Sequence, residues 1–224
     1  MHFTFIQLDR LGDLWDRMRS HRFLLDTRDG TLPDEVFATW LQQDYLFVEA
    51  AIPFLGGLLP KAPLAHRQPL TQAISALYDE LALFKERARA VGVVLDDVAP
   101  SFICHAYIQF LLASAYRGSY AEAFTVLYVA EKAYHDAWTV VRAGLDPASP
   151  WYPFVENWAG DDFAAYVAFL ERELNALAAA AGADEHARMA RAFEDTVKYE
   201  IAFWEMAFTG AAWPGLEPQG QADR

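Results

Sequence analysis

Residues 37–51 read FATWLQQDYLFVEAA. Phe37, Trp40, Leu41, Phe47, Val48 and Ala51 recur at the i, i+3, i+4, i+7 spacing of one face of an α-helix. Asp44 stands in the middle of that face, where the spacing calls for a hydrophobe. Burying a carboxylate is costly unless it is paired, hydrogen-bonded or used. The pattern occurs twice more. Phe124, Leu127, Tyr128, Tyr134, Trp138 and Val141 surround Glu131, and Phe193, Thr196, Val197, Phe203, Trp204 and Ala207 surround Glu200. One inward acid is ordinarily a structural contact. Three on separate helices point to an acid-lined pocket inside a helical bundle, because perturbed titrating groups gather at functional sites.

Helical periodicity extends along the whole chain. A first helix is expected over 5–25, and a second from Leu32-Pro33-Asp34 to about 53–57, with Pro53 as a kink point. A long helix over 64–91 carries Leu70, Ile74, Leu77, Leu81 and Phe84 on one face and ends at Gly92. Further helices are expected over 101–117, 119–143, 151–158, 160–181 and 184–209. The alternation of a half-buried strand is missing over useful lengths. The expected fold is all-α: one domain over residues 1–210, a bundle of seven or eight helices, and a flexible C-terminal tail over 211–224.

Of the 224 residues, 54% are hydrophobic, so a sizeable core is available; 15% are aromatic, which around a polar centre suits a flat, weakly charged ring ligand. The formal charge is 18 − 31 = −13 with no Lys/Arg-rich run, which argues against nucleic acid as a partner. An acidic surface also repels an anionic membrane. There is no apolar run of the ~18 residues a membrane span requires. The N-terminal MHFTFIQLDRLGDLW lacks a basic segment followed by an apolar one, so no signal peptide is read there. Cys104 is the single cysteine, which leaves no intrachain disulfide. The expected setting is cytoplasmic.

A desolvated Glu200 would have a raised pKa, suited to general acid or base work near neutral pH. Glu205 lies about 140° around the helix from it and reads as a surface acid. Glu131 has Tyr134 and His135 within reach at i+3 and i+4. Glu131 and His135 could place two metal ligands on one face, but the Glu-x-x-His pair of di-metal bundles is absent, and no metal or cofactor is expected. Asp44 can accept hydrogen bonds from a ligand amino group, and Tyr107 is a further donor. Cys104 has no partnered histidine in sequence and reads as a small buried hydrophobe.

Four segments carry a family resemblance: Leu41-Gln-Gln-Asp-Tyr-Leu-Phe47, the stretch around Tyr107, Ala130-Glu-Lys-Ala-Tyr-His-Asp-Ala-Trp138, and Tyr199-Glu-Ile-Ala-Phe-Trp-Glu-Met-Ala207. In this order and spacing the chain resembles the TenA/Thi-4 family over about residues 5–209. The resemblance implies a haem-oxygenase-like helical fold without haem, a homo-oligomer (dimer or tetramer), and hydrolysis of thiamin-derived pyrimidines in thiamin salvage. It implies that Asp44 binds the amino and ring nitrogens and Phe47 packs on the ring. Tyr107 and Tyr134 would bond near the reacting carbon, and Glu200 would be the acid/base. The better-studied branch carries a Pro-Cys pair with a nucleophilic cysteine where this chain has Val129-Ala130-Glu131. Trp158 stands where that branch tends to carry Tyr. The chain therefore resembles the cysteine-lacking, glutamate-bearing branch. That branch is associated with aminopyrimidine or formylaminopyrimidine hydrolysis rather than thiamin cleavage. Glu131 and Glu200 would share the acid and base roles on a directly attacking water. The competing readings are a haem-oxygenase-like oxidase, di-iron or cofactorless, and a non-catalytic small-molecule-binding protein. The oxidase would need inward histidines, and only His135 and His105 are well placed in sequence.

Overall fold

A computed structural model describes residues 2–210 and 212–215. Among these residues there are ten α-helices and no strand: α1 (Phe3–Arg10), α2 (Gly12–Arg19), α3 (Arg22–Arg28), α4 (Asp34–Leu58), α5 (Leu64–Val91), α6 (Phe102–Arg117), α7 (Tyr120–Arg142), α8 (Tyr152–Ala159), α9 (Asp161–Ala180) and α10 (Ala183–Thr209). The all-α bundle is as expected. Most of the anticipated tail, residue 211 and residues 216–224, lies outside the described residues.

The expected single helix over 5–25 is corrected to three. The backbone leaves helical values at Leu11 and at Ser20, and His21 is extended at ψ 143°. The His21 ring then caps α3 by accepting from the Phe23 N–H at 3.2 Å. Local capping here overrides the expected continuous helix. The break lets three short helices wrap the bundle where one rod would leave it. Pro53 sits inside α4 without ending it. Gly92 takes φ +73° and closes α5, a left-handed conformation that costs a residue without Cβ little.

Helix α7 is the central element and packs against α2, α3, α6, α8, α9 and α10. Its residues Ala123–Val129 are all buried, the signature of a helix apolar on every side. It begins with a reciprocal capping box: the Ser119 hydroxyl accepts from the Glu122 N–H and the Glu122 carboxylate from the Ser119 N–H, each at 3.1 Å. Beside it lies an aromatic cluster. Trp138 stacks on Trp158 at 5.2 Å between ring centres and meets Trp40 at 5.1 Å. Each such contact adds about 0.5–1.5 kcal/mol beyond the burial of area. This cluster fixes α4, α7 and α8 against one another, and the site opens next to it.

Candidate active site

Asp44 and Phe47 come from α4, Tyr107 from α6, Glu131 and Tyr134 from α7, Trp158 from α8 and Glu200 from α10. Asp44 and Glu200 are fully buried. The Tyr134 hydroxyl donates to Asp44 Oδ1 at 2.5 Å, and the Tyr107 hydroxyl donates to Glu200 Oε1 at 2.5 Å. In each pair the second carboxylate oxygen, Asp44 Oδ2 and Glu200 Oε2, has no hydrogen-bond partner among the described residues. Buried polar atoms are rarely left unpaired, so two such oxygens call for a further donor.

A cavity of about 530 Å³ opens beside these pairs. Asp44, Phe47, Glu131, Tyr134 and Trp158 are on its wall; Tyr107 and Glu200 are not. Phe47 packs on Tyr107 at 4.5 Å and Tyr134 on Trp158 at 5.4 Å between ring centres, so the wall rings rest on the buried pairs. Apolar walls with a few convergent polar groups are the usual form of a small-molecule site.

The wall also carries Gln72, Glu80, Asn157, Asp162 and Tyr166, none of them expected there from the sequence. Asn157 Nδ2 donates to Glu80 Oε2 at 3.2 Å, and the Tyr166 hydroxyl has no partner among the described residues. Glu80 had a legible signal. From Leu77 the helical spacing runs to 80, 81 and 84, so Glu80 is a fourth acid on an inward face, flanked by Leu81 and Phe84. Asn157 and Tyr166 had none, since their positions depend on how α8 and α9 dock.

Electrostatics separate the acids. Enclosure pushes the Glu131 pKa up to about 8, and the charge of Glu80 adds to this. Enclosure pushes Glu80 up to about 7, opposed by the hydrogen bond from Asn157. Both side chains keep some surface on the cavity; enclosure by apolar walls, rather than complete packing, is the cause. Asp44 is raised by burial against the opposing Tyr134 bond, with a further rise from Glu80. Glu200 is raised by burial, opposed by Tyr107 and raised again by Asp44 and Glu131. The four carboxyl groups therefore sense one another.

The remaining candidates fall elsewhere. Cys104 is buried, its Sγ 3.4 Å from the Gln43 carbonyl, and burial pushes its thiol up to about 12, which leaves it a poor nucleophile. The His135 ring bonds the Trp158 carbonyl at 3.0 Å and His105 packs on Trp213, so neither is on the cavity wall. No three His, Cys, Asp or Glu side chains among the described residues are grouped to hold a metal ion. Glu205 is the surface acid expected, 3.0 Å from His21.

A half-open cavity lined by carboxyl and tyrosyl groups has the form of a small-molecule site, and the all-α bundle around it has the haem-oxygenase-like fold. A domain with that fold from Shewanella denitrificans is similar in structure, with TM-score 0.73 and 13% identity over 94% of this chain and 93% of its own. The chain belongs to the TENA/THI-4/PQQC family, whose profile matches residues 8–210. A TenA homologue from Pyrococcus furiosus superposes with TM-score 0.89 at 33% identity, covering 92% of this chain and all, 100%, of that one. The chain is 25% identical over 222 residues to the aminopyrimidine aminohydrolase of Halalkalibacterium halodurans, 95% of this chain and 98% of the relative.

Proposed function

We propose that this protein is a C–N hydrolase of thiamin-derived pyrimidines, aminopyrimidine or formylaminopyrimidine, acting in thiamin salvage. Family membership and the aminohydrolase relative support the activity. The observation that carries the substrate class is the Asp44–Tyr134 pair at the cavity wall, with Asp44 Oδ2 left open. A carboxyl group can donate to a ring nitrogen and accept from the neighbouring amino group at once. The raised pKa of Asp44 favours the protonated form that does both. Phe47 would pack on the ring, and Tyr134 and Trp158 would border it.

The chemistry falls to Glu131 and Glu200. With its pKa pushed up to about 8, Glu131 holds a proton at neutral pH and faces the cavity, ready to give it to the departing nitrogen. Burial raises Glu200 well above the usual carboxylate range and the Tyr107 hydroxyl opposes that rise; behind the cavity wall and with Oε2 unpartnered among the described residues, Glu200 is the group we assign to accept a proton from water in its charged form. Tyr107 holds that carboxylate in place. Water then supplies the oxygen that replaces nitrogen on the reacting carbon, without a cysteine nucleophile. Cys104 does not fill that role, buried with a raised pKa. The family resemblance also leads us to propose a cytoplasmic homo-oligomer, which light scattering on the purified protein tests. No helix among the described residues is long and apolar enough to cross a membrane.

The test is turnover of a formylaminopyrimidine, its deformylated amine and thiamin in parallel, read as formate and ammonia release. Hydrolysis of either pyrimidine with thiamin untouched supports the reading. Turnover of none of them sinks it.

A further inference from the structure

The cavity wall carries four acids, Asp44, Glu80, Glu131 and Asp162, and no Lys, Arg or His. Glu80 and Glu131 share that wall with the Asp44–Tyr134 pair, and the charge of Glu80 raises the pKa of both Glu131 and Asp44. Neither Glu80 nor Glu131 forms an ion pair with a basic side chain among the described residues; the one hydrogen bond to these two glutamates comes from the neutral amide of Asn157. Asp44 Oδ2, fully buried on the same wall, and the Tyr166 hydroxyl are also unpartnered there. Two carboxyls on one apolar-walled cavity repel when both are charged, and the natural relief is a cation bound beside them. A neutral ring explains Asp44 and the aromatic wall but leaves Glu80 without a task.

We propose that Glu80 and Glu131 together bind the substrate's exocyclic amine as an ammonium ion, and that Glu80 makes this enzyme prefer the free amine over the neutral formylated amide. This rests on the pyrimidine reading of the cavity. Asn157 orients Glu80 for the contact. The cavity wall draws Glu80 from α5, Glu131 from α7, Asn157 from α8, Asp162 and Tyr166 from α9 and Asp44 from α4.

An amine leaves only as a protonated nitrogen, and a bound ammonium already carries the proton that Glu131 would otherwise donate. The carbon–nitrogen electron pair departs with nitrogen as neutral ammonia. The water oxygen bonds to that carbon, and the water proton passes to the Glu200 carboxylate. Ammonium-bearing substrate, water and carboxylate thus give alcohol, ammonia and carboxylic acid, with charge and hydrogen conserved. Binding has its own signature. Near pH 7, Glu80 and Glu131 are partly protonated in the empty site, their pKa values pushed up to about 7 and about 8. An entering cation favours their charged forms, so the amine should expel protons into the buffer.

The experiment compares wild type with Glu80→Gln on two substrates, the aminopyrimidine and its formyl derivative. It reads kcat/KM for each, and reads proton release by calorimetry of aminopyrimidine binding in two buffers of different ionisation enthalpy. We expect Glu80→Gln to lower kcat/KM for the amine by roughly tenfold or more, to lower that for the formyl compound by a clearly smaller factor, and to shrink the proton release. Glu80→Asp should recover part of the amine preference. Equal loss on both substrates, or proton release unchanged in Glu80→Gln, overturns the proposal while leaving the hydrolase reading standing. Failure of wild type to turn over either compound, or to bind the amine, removes the reading on which it rests.

Discussion

The two polar ends of the site solve the burial of charge differently. At the inner end each carboxyl has a tyrosine: Tyr134 on Asp44 and Tyr107 on Glu200. The four side chains are positioned by four helices, α4, α6, α7 and α10, and are packed tightly. At the outer end two carboxyls, Glu80 and Glu131, face open cavity, and one neutral amide is their hydrogen-bonding neighbour. Among the described residues the tyrosine-paired end keeps one open oxygen on each acid, Asp44 for the ring and Glu200 for the water proton. Glu80 and Glu131 have no tyrosine partner among those residues, which suits a charged group that arrives, reacts and leaves.

The largest effect that would sharpen this contrast comes from Glu200. Glu200→Gln should lower kcat/KM by about a thousandfold if it takes the water proton. Adding Tyr107→Phe should then cost only roughly threefold more, because the two act as one unit. Steady-state rates of the single and double variants decide this; additive losses would break the pairing. Asp44→Ala comes next. It removes both the acceptor of the Tyr134 hydroxyl and the paired donor and acceptor presented to the ring. We expect KM to rise roughly tenfold to a hundredfold with a smaller change in kcat. A fall in kcat at unchanged KM would place Asp44 in the chemistry instead.

The outer end predicts a dependence of stability on pH. Folding raises Glu80 to about 7 and Glu131 to about 8. Between their unfolded values and these folded ones, the native state holds more protons than the unfolded one. Stability of the empty protein therefore falls as pH rises from about 4.5 through 8, by up to about 1.4 kcal/mol per pH unit for each group, and Asp44 and Glu200, both raised by burial, act in the same direction. Thermal melts at pH 6 and pH 8 check the sign. A Glu80→Gln, Glu131→Gln double variant should flatten that slope and melt higher at pH 8. A wild type more stable at pH 8 than at pH 6 would show that the outer carboxyls are not held as described. The smallest effect belongs to Cys104: Cys104→Ala should leave activity within roughly threefold, the scale of a lost packing contact rather than of a lost nucleophile. A collapse of activity would restore a cysteine mechanism.

The inner end was legible in the sequence and the outer end only half so. Asp44, Glu131 and Glu200 each interrupt an apolar helical face, and that violation of pattern is itself the signal. Tyr107 and Tyr134 emerged through the family resemblance and their short spacing from other candidates. Glu80 also interrupts an inward face, but α5 is largely solvent-covered, and a charge beside an exposed helix face looks ordinary there. Asn157 and Tyr166 lie on α8 and α9, whose contribution depends on docking against α7, a tertiary matter without local trace. The same limit explains the first helix. That segment mixes apolar and charged residues, and the backbone departures at Leu11 and Ser20 with the His21 ring cap break it into three, because backbone partners at helix ends compete with pattern.

The central claim, that carboxyl groups perform the hydrolysis, turns on Glu131. The direct measurement is kcat/KM for the aminopyrimidine and its formyl derivative at pH 7 with wild type and Glu131→Gln, alongside a thermal melt of both. The account predicts a loss of roughly a hundredfold to ten-thousandfold on the formyl compound, which needs the donated proton, in a variant that melts no lower than wild type. A folded Glu131→Gln protein that turns over both compounds at the wild-type rate would contradict it.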